Sequence, residues 1–494
     1  MNQLYNRRSW SLAFLLLMTI TVVAASHYPA GAAPPEATGA TKIIPPDTDQ
    51  LDAIVLSIMD QFHIPGCAVS VFCAEGFEYT GTYGFAQLMP DSIPVNEHSI
   101  FATMSVSKAI TGTALMGVWD DTGFDLDADV SDYLDFAVIH PTCPDSAVTA
   151  RKLAAHVSAM PQEPWGCIYG MPLCGCLGEV LDPAGAHYDP DDWADYCPGE
   201  GYLYSATNSC LAACLIEHIS GQTLPDYSRT RFFEPLGMTG SAWFGDELDP
   251  ELVAHSYRWD SATETYILAS ENGPNDFRYP AVGFRTSIHD FSRFTAAVMN
   301  GGELGGVRVL DEATVDTMFT PQYFRVTDED MGFSWFRYHY WSSGPYWSHL
   351  GGGGNYSAAM MIHESRDYGV VLLINGGSGG LAILNEIIAF IADVYAPVPE
   401  AQSLSLDLAI HPNPFNPRTS LSFEVPTPGV VRLRVFDLRG RLIATLIDGV
   451  VEAGQHVASW SGRDREGRDV PSGVYLSRLE AGGEVVRARM TLVR

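Results

Sequence analysis

Lysine is scarce in this 494-residue chain, where only Lys42, Lys108 and Lys152 occur and arginine supplies the rest of the 28 basic residues. Acidic residues number 59, so the formal net charge is −31. Residues 402–494 are the exception, with twelve Arg against ten Asp and Glu. A surface this acidic repels nucleic acid phosphates and anionic membranes, which makes nucleic acid a poor candidate partner.

Long apolar runs are missing after the N-terminus. The one such run, Trp10–Ala25, follows Arg7-Arg8 and precedes small residues that include Ala30-Gly31-Ala32. This order predicts a secretory signal peptide over residues 1–32, with cleavage after Ala25 equally compatible, and the run is short for a membrane span. We therefore expect an exported protein without a transmembrane segment once the signal is removed.

Cysteine is absent outside residues 67–214, where all nine cysteines occur. In an exported chain disulfides are expected, and the odd number leaves at least one cysteine outside intramolecular pairs. Four cysteines crowd a Pro- and Gly-rich insert at about residues 160–201: Cys167, Cys174, Cys176 and Cys197. Zinc is the alternative, but their spacing fits no regular finger or ribbon, so we predict disulfides that clamp a long loop. Cys210 and Cys214 lie one turn apart on a predicted helix and are interpreted as buried side chains.

Lys108 has a serine three residues before it, in the segment FATMSVSK (101–108). The following residues predict a helix, and positions three apart share one helix face, so the Ser105 hydroxyl and the Lys108 amine can meet. A hydroxyl becomes a good nucleophile when a neighbouring base takes its proton, which a lysine shielded from water can do and an arginine cannot. Ser105 is thus the candidate nucleophile and Lys108 its base. The structural alternative is a buried serine beside a lysine that reaches outward.

Two further stretches could complete a site for acyl transfer. Tyr204-Ser205 precedes the helix predicted at Asn208–Ser220, and His349-Leu350-Gly351, followed by three glycines, begins a predicted strand. Acyl transfer needs a proton donor and an oxyanion hole, which a tyrosine and glycine N–H groups can provide. Each stretch is weak alone, because a tyrosine before a helix is usually packing and a glycine run is usually a turn.

Hydrophobic periodicity gives a coarse fold. Helices are predicted after Ser105, from near Asp311, and at Gln50–Phe62, 149–156, Asn208–Ser220, Ile288–Met299 and Leu381–Val394. Strands are predicted at Cys67–Cys73 and Glu78–Phe85 and, within 331–375, at Phe333–Tyr340, Ser357–His363 and Tyr368–Asn375. Helices at both ends with strands between them predict a sheet covered by the terminal helices, with a mostly helical insertion.

Residues 45–396 resemble the serine β-lactamase and penicillin-binding protein superfamily, in particular the class C-like serine hydrolases. The matching segments are FATMSVSK (101–108), KLAAHVSAM (152–160), YSATNSCLAACLIE (204–217), EPLGM (234–238), PAVGFRTSIHDFSRF (280–294) and HLGGGGNY (349–356). The resemblance implies an α/β (α+β) transpeptidase-like domain, with an antiparallel sheet and a helical subdomain, and no cofactor or metal.

The same resemblance implies roles for six residues. Ser105 would be the acylated nucleophile, Lys108 its proton acceptor or activator, and Tyr204 a proton shuttle. His349, Gly351 and Gly352 would contact the substrate or its oxyanion. The N–H groups of Ser105 and Gly352 would form the oxyanion hole.

Two positions depart from the family pattern. Ala206 replaces the Asn of Y-x-N, with Asn208 two residues out of register, and His349 replaces the Lys of K-T-G. A neutral imidazole attracts a substrate carboxylate less than a fixed cation does. Both changes favour a peptidase or esterase acting on D-amino-acid peptides, amides or small esters. A β-lactamase is the alternative enzyme, and a catalytically silent cell-surface binding protein is the alternative outside enzymes.

A second serine, Ser378, lies in the G-x-S-x-G sequence of residues 376–380. An α/β-hydrolase elbow needs an acid and then a histidine later in the chain. The downstream histidines are His411 and His456, both beyond a linker predicted at residues 397–407. We therefore interpret this sequence as a Gly-rich turn between a strand and a helix.

Residues 408–494 alternate short strands with turns and predict a small all-β sandwich. Its predicted strands are Ser420–Val425, Val430–Asp437, Leu442–Asp448, His456–Trp460, Val474–Glu480 and Val485–Val493. The segments HPNPFNPRTSLSFEVP, VFDLRGRLIATL and DVPSGVYLSRLEAGG resemble FlgD-like immunoglobulin-type modules that act as C-terminal sorting domains. The resemblance implies the type IX secretion machinery as a partner, export past the outer membrane, and a secreted or cell-surface location.

Overall fold

The computed structural model describes residues 48–493 except 74–75, 165–166, 168–171, 272, 274–276, 325–328, 340–343, 366–367, 378, 395–407, 426–427, 438–440 and 482–483. The predicted signal peptide (1–32), the predicted linker (397–407) and Ser378 lie outside the described residues.

A nine-stranded antiparallel sheet organises the described residues before 395. The strands of this part, in chain order, are β1 (Gly66–Cys73), β2 (Gly76–Gln87), β3 (Ile93–Pro94), β4 (Ile100–Ala102), β5 (Ser256–Asp260), β6 (Thr265–Ser270), β7 (Arg285–Ser287), β8 (Glu303–Leu304), β9 (Val307–Arg308), β10 (Tyr323–Phe324), β11 (Glu329–Met331), β12 (Phe336–Tyr338), β13 (Tyr346–Gly353), β14 (Tyr356–His363) and β15 (Tyr368–Ile374). The strand order of the sheet is β10-β11-β12-β13-β14-β15-β1-β2-β3. Strand β4 pairs with β7, β5 with β6, and β8 with β9, in three separate two-stranded sheets. Strands β1 and β15 are buried along almost their whole length because helices cover both faces of the sheet.

The helices divide between the two faces of the sheet. They are α1 (Thr48–Phe62), α2 (Val106–Thr122), α3 (Ala150–Ala154), α4 (Leu173–Leu181), α5 (Ala206–Ser220), α6 (Leu224–Ser228), α7 (Glu234–Leu236), α8 (Tyr279–Val282), α9 (Ile288–Met299), α10 (Glu312–Met318) and α11 (Gly380–Val394). Helices α1 and α11 share one core with one side of β1 and β15, through residues such as Val55, Val69 and Ile387. Helices α2, α5 and α9 belong to the core on the other side, with Phe72 and Leu373. The predicted antiparallel sheet, its terminal helices and the helical insertion are therefore confirmed.

Strand β13 is the main correction to the predicted elements. The prediction placed three strands within 331–375 and started a fourth at His349, whereas β13 begins at Tyr346 and holds His349 near its centre. Three glycines at its end weaken the strand pattern, because glycine has no side chain to pack. The strand predicted at Phe333–Tyr340 is also shorter, and spans only Phe336–Tyr338.

Disulfides, rather than a zinc site, hold the cysteine-rich insert. The pairs are Cys143–Cys197, Cys167–Cys176 and Cys174–Cys214. The interpretation of Cys214 as a merely buried side chain was wrong, because it bonds to Cys174 and ties α5 to α4. Cys67, Cys73 and Cys210 lie outside these pairs; Cys67 and Cys210 are buried and Cys73 is half-buried.

The described residues from 408 onward are all-β. Their strands are β16 (Leu408–His411), β17 (Thr419–Val425), β18 (Gly429–Asp437), β19 (Leu442–Val451), β20 (Gly454–Trp460), β21 (Gly473–Ala481) and β22 (Glu484–Leu492). They form one sheet of order β16-β17-β20 and another of order β19-β18-β21-β22, around a core of their own. Alternating burial along β17 and β21 places one face of each strand in that core.

Within the described ranges, none of the helices combines the length and the apolar character that crossing a bilayer requires.

Candidate active site

Ser105 stands at the turn that leads from β4 into α2. Met104 has a left-handed backbone (φ 52°), and Ser105 follows as the residue before the first helical position. A serine at this position usually caps the helix by accepting a backbone hydrogen bond, but the Ser105 side chain makes no such bond. Its half-buried hydroxyl is therefore left for other chemistry.

Lys108 lies one turn later and is 3% exposed. Its Nζ donates to Ser105 Oγ at 3.4 Å and to the carbonyl oxygen of Ala281, in α8, at 3.0 Å. The same Nζ lies 4.8 Å from the centre of the Tyr204 ring. The contact with Ser105 is long for a hydrogen bond, as is common at catalytic groups before a substrate is bound. Lys108 thus links α2 to both α8 and the segment before α5.

Tyr204 is held just before α5 by hydrogen bonds of its neighbours. Ser205 Oγ donates to the carbonyl of Pro161 at 2.7 Å, and the N–H of Ala206 donates to that of Gln162 at 2.8 Å. The half-buried phenol ring packs against His156, with 4.6 Å between ring centres. These bonds fix the backbone on which the position of the phenol depends.

Gly351 on β13 packs directly against the turn that carries Ser105. A Cβ added there would lie 2.0 Å from the carbonyl oxygen of Thr103 and 3.3 Å from the nitrogen of Ser105, so only glycine fits. Gly352 is exposed, and a Cβ there would meet nothing within 4 Å. Strand β12 pairs with β13 only as far as Ser348, so the rest of that edge of β13 has no strand partner among the described residues.

His349 lies on the same strand but is 1% exposed. Its Nδ1 is 2.9 Å from the carbonyl oxygen of Leu350, which places a proton on Nδ1, and Nε2 has no partner among the described residues. Burial and the nearby charge of Lys108 lower the pKa of His349 to about 3. The imidazole is therefore neutral and shielded from solvent, so it provides no cation for a substrate carboxylate.

Asn208 does not replace the missing amide of Y-x-N. Its Oδ1 accepts a hydrogen bond from Ser158 Oγ at 2.6 Å, and its Nδ2 lies 2.9 Å from Nδ1 of His156. Ala206, at the family's Asn position, is buried at the start of α5. The structure therefore groups Ser105, Lys108, Tyr204 and the β13 backbone, while the Asn208 amide is engaged by Ser158 and His156.

His156 is the residue near this site that the sequence interpretation missed. It lies in KLAAHVSAM, a segment that carries the family likeness, and that was the signal available. Gly376, Gly377 and Gly379 lie between the end of β15 at Ile374 and the start of α11 at Gly380.

A helix that carries a serine and a lysine packs on the sheet, and a tyrosine and the backbone of a glycine-containing strand face these two residues. This arrangement defines the class of serine hydrolases with the β-lactamase and penicillin-binding protein fold. The family model described as Beta-lactamase matches residues 51–392, and the chain belongs to this family. Penicillin-binding protein 4* of Bacillus subtilis is 25% identical over 318 residues, which cover 62% of this chain and 67% of that protein.

Solved structures show the same fold. The penicillin-binding protein from Bacillus halodurans superposes with a TM-score of 0.55 at 20% identity, over 68% of this chain and 98% of that one. A class C beta-lactamase superposes with a TM-score of 0.56 at 18% identity, over 72% of this chain and 97% of that one.

Proposed function

We propose that the protein is a secreted serine hydrolase that works through an acyl-enzyme on D-amino-acid peptides, amides or small esters. The observation that carries the proposal is the position of Lys108, whose Nζ lies 3.4 Å from Ser105 Oγ and 4.8 Å from the centre of the Tyr204 ring. A nucleophile within reach of a base that is itself held by other groups is the arrangement that activates a serine.

In the first half of the reaction, Ser105 Oγ attacks the carbonyl carbon of the substrate. Its proton passes to Lys108, directly or through Tyr204, and then to the leaving alcohol or amine as the bond to that group breaks. Negative charge on the carbonyl oxygen is stabilised by the N–H groups of Ser105 and Gly352. In the second half, water gives a proton to the same groups and attacks the acyl-enzyme, which releases the acid and restores the Ser105 hydroxyl.

The surroundings of His349 support the proposed substrate class. An efficient β-lactamase binds the carboxylate of its substrate, and a buried neutral imidazole gives little attraction to such a group. Ala206 also lacks the amide that would help to hold it. Substrates whose recognition does not depend on a carboxylate beside the scissile bond therefore fit this site better than β-lactams do.

Active-site labelling tests the proposal. The protein is incubated with a fluorophosphonate, digested, and analysed for the labelled peptide, with Ser105→Ala and Ser378→Ala as the paired variants. Label on the Ser105 peptide that Ser105→Ala abolishes and Ser378→Ala leaves unchanged is the expected result. Folded protein that takes no label would instead favour a catalytically silent binding protein, and label on Ser378 would favour a hydrolase elbow.

A substrate panel then separates peptidase or esterase from β-lactamase. We expect turnover of D-amino-acid amides, which have no carboxylate beside the scissile bond, or of p-nitrophenyl esters to exceed that of nitrocefin by at least an order of magnitude in kcat/KM. Nitrocefin as the best substrate would reverse this assignment while leaving the acyl-enzyme mechanism intact.

We also propose that residues 408–494 direct the protein to the cell surface through the type IX secretion machinery. The seven strands of this segment, and its PNPFNP and SGVY sequences, support a sorting module of immunoglobulin type. Removal of residues 408–494 in a bacterium that has this machinery should leave the protein inside the outer membrane. Surface display of the truncated protein would contradict the proposal.

A further inference from the structure

His156 holds the chain on both sides of Tyr204. Its carbonyl oxygen accepts a hydrogen bond from the N–H of Leu203 at 2.8 Å, and its ring Nδ1 accepts one from the N–H of Ser205 at 3.3 Å. The ring also lies 4.6 Å from that of Tyr204, centre to centre. One residue therefore contacts Tyr204 and both of its chain neighbours.

The hydrogen bonds identify the form of the imidazole. A backbone N–H can only donate, so Nδ1 must present its lone pair to Ser205, and a neutral ring then carries its proton on Nε2. Asn208 agrees with this arrangement: its Oδ1 accepts from Ser158 Oγ, which turns its NH₂ group toward Nδ1 at 2.9 Å. A protonated Nδ1 would face two donors and lose both hydrogen bonds.

The backbone of His156 is unusual for its residue type. Its φ is 56°, in the left-handed region, and the side chain is 2% exposed. Non-glycine residues keep such a conformation when the surrounding structure requires it, and they are frequent near functional sites. Here this conformation lets the carbonyl and the ring of one residue contact Leu203 and Ser205 together.

We propose that His156, in the tautomer protonated on Nε2, is a positioning residue that sets the phenol of Tyr204 against Lys108. This inference rests on the proposed acyl-transfer function. Without the acceptor at Nδ1, the segment before α5 is free to shift, and a misplacement of about 1 Å in a reacting group can cost about 100-fold in rate.

Three variants separate the effect of the hydrogen-bond acceptor at Nδ1 of His156 from the effects of its backbone conformation and its burial. His156→Asn keeps an acceptor at the δ position and tolerates a positive φ, whereas His156→Gly tolerates the φ but has no acceptor. His140→Ala is the control, because His140 is equally buried and its Nδ1 also accepts a backbone N–H, that of Thr142. Its ring contacts lie in the cysteine-rich insert, with Ala194 and Trp193.

We expect His156→Gly to lower kcat for a p-nitrophenyl ester by about 10- to 100-fold, with KM changed by less than about threefold. His156→Asn should recover kcat to within about fivefold of the parent, and His140→Ala should leave it within about twofold while lowering the melting temperature. A folded His156→Gly variant with full kcat, or a His156→Asn variant as slow as His156→Gly, would overturn the inference.

Nuclear magnetic resonance gives a readout that needs no turnover. In the parent protein, the imidazole nitrogens of His156 should show Nδ1 unprotonated and Nε2 protonated at neutral pH, and the Ser205 amide should exchange slowly with solvent. In His156→Gly that protection should be lost. Protonated Nδ1 or an unprotected Ser205 amide in the parent would overturn the inference even if His156→Gly fails to fold. Absence of ester turnover in the parent would count against the proposed function alone.

Discussion

The Nζ of Lys108 lies over the ring of Tyr204, 4.8 Å from its centre, although Lys108 belongs to α2 and Tyr204 to the segment before α5. A cation at this distance is attracted to the aromatic face, and more strongly where water is excluded, as it is around Lys108. The contact joins α2 to the segment before α5, so the proton transfer that we propose between the amine, the phenol and Ser105 requires both segments to be in place.

Replacing Lys108 should abolish acylation while leaving the fold. We expect Lys108→Met to slow labelling of Ser105 by about 10²–10⁴-fold, because the serine proton then has no acceptor. Lys108→Arg should be almost as slow, since a guanidinium keeps the charge but does not release its proton. Lys152→Met is the matched control, because Lys152 Nζ instead contacts the carbonyl of Ala147. Rapid labelling of Lys108→Arg would show that charge alone is sufficient.

Removing the phenol oxygen should affect the rate more than binding. Tyr204→Phe keeps the ring that packs on His156 and lies beside Lys108, but it cannot relay a proton. We expect kcat for a p-nitrophenyl ester to fall by about 10²–10⁴-fold with little change in KM. Tyr202→Phe, which alters a nearby half-buried phenol, should keep kcat within about twofold. Equal losses in the two variants would argue against a special role for Tyr204.

Substitution by alanine should affect stability differently at Gly351 and at Gly352, two adjacent residues of β13. Gly351→Ala drives a methyl group into the carbonyl of Thr103, whereas Gly352→Ala places it in open space. Overpacking of this kind typically costs about 1–3 kcal/mol, and we expect that loss for Gly351→Ala in urea unfolding together with slower labelling of Ser105. Gly352→Ala should change the free energy of unfolding by less than about 0.5 kcal/mol. Equal stability of the two variants would contradict the close approach of β13 to α2.

His349 should make the protein less stable in acid. Its pKa is lowered from 6.5 to about 3 in the fold, so between these values the unfolded chain binds a proton that the folded chain does not. The free energy of unfolding therefore falls as pH falls from 6.5 towards 3, by up to about 1.4 kcal/mol per pH unit from this group. Other groups titrate in the same range, so His349→Gln is compared with the parent by urea unfolding at several pH values. The variant should show a shallower decline, and parallel curves would contradict the lowered pKa.

Local spacing predicted one half of the site, and tertiary contacts decided the other. Ser105 and Lys108 are three residues apart on one helix, so their meeting could be read from the sequence. The prediction that Tyr204 and the glycines of β13 belong to the site came from family resemblance, because no local rule joins segments so far apart in the chain. His156 was missed for a physical reason: its contribution depends on a left-handed backbone and on partners that come from a distant loop.

The boundaries of helices and strands were likewise predicted well where they depend on local sequence and poorly where they depend on tertiary contacts. Helix α9 was predicted around Ile288–Met299 from the pattern of its residues, and the structure gives it these bounds, with the Ser287 side chain accepting a capping hydrogen bond from the N–H of Asp290. Strand β13 was recognised only in part, since Gly351 is required for the close approach to the turn before α2 and three glycines together weaken a strand pattern. The bond from Cys214 to Cys174 was equally hidden, because a cysteine on a helix gives no sign of its partner.

The three disulfides found among the described residues join segments between Cys143 and Cys214, on the side of the site that carries Tyr204, while none crosses the described part of the nine-stranded sheet. Wherever thiols are kept reduced, newly made protein would retain the serine, its lysine and the glycines of β13 but would lack the covalent ties around the phenol. For the proposed hydrolase, oxidation would then act as a maturation step, and we expect full activity only once these bonds have formed.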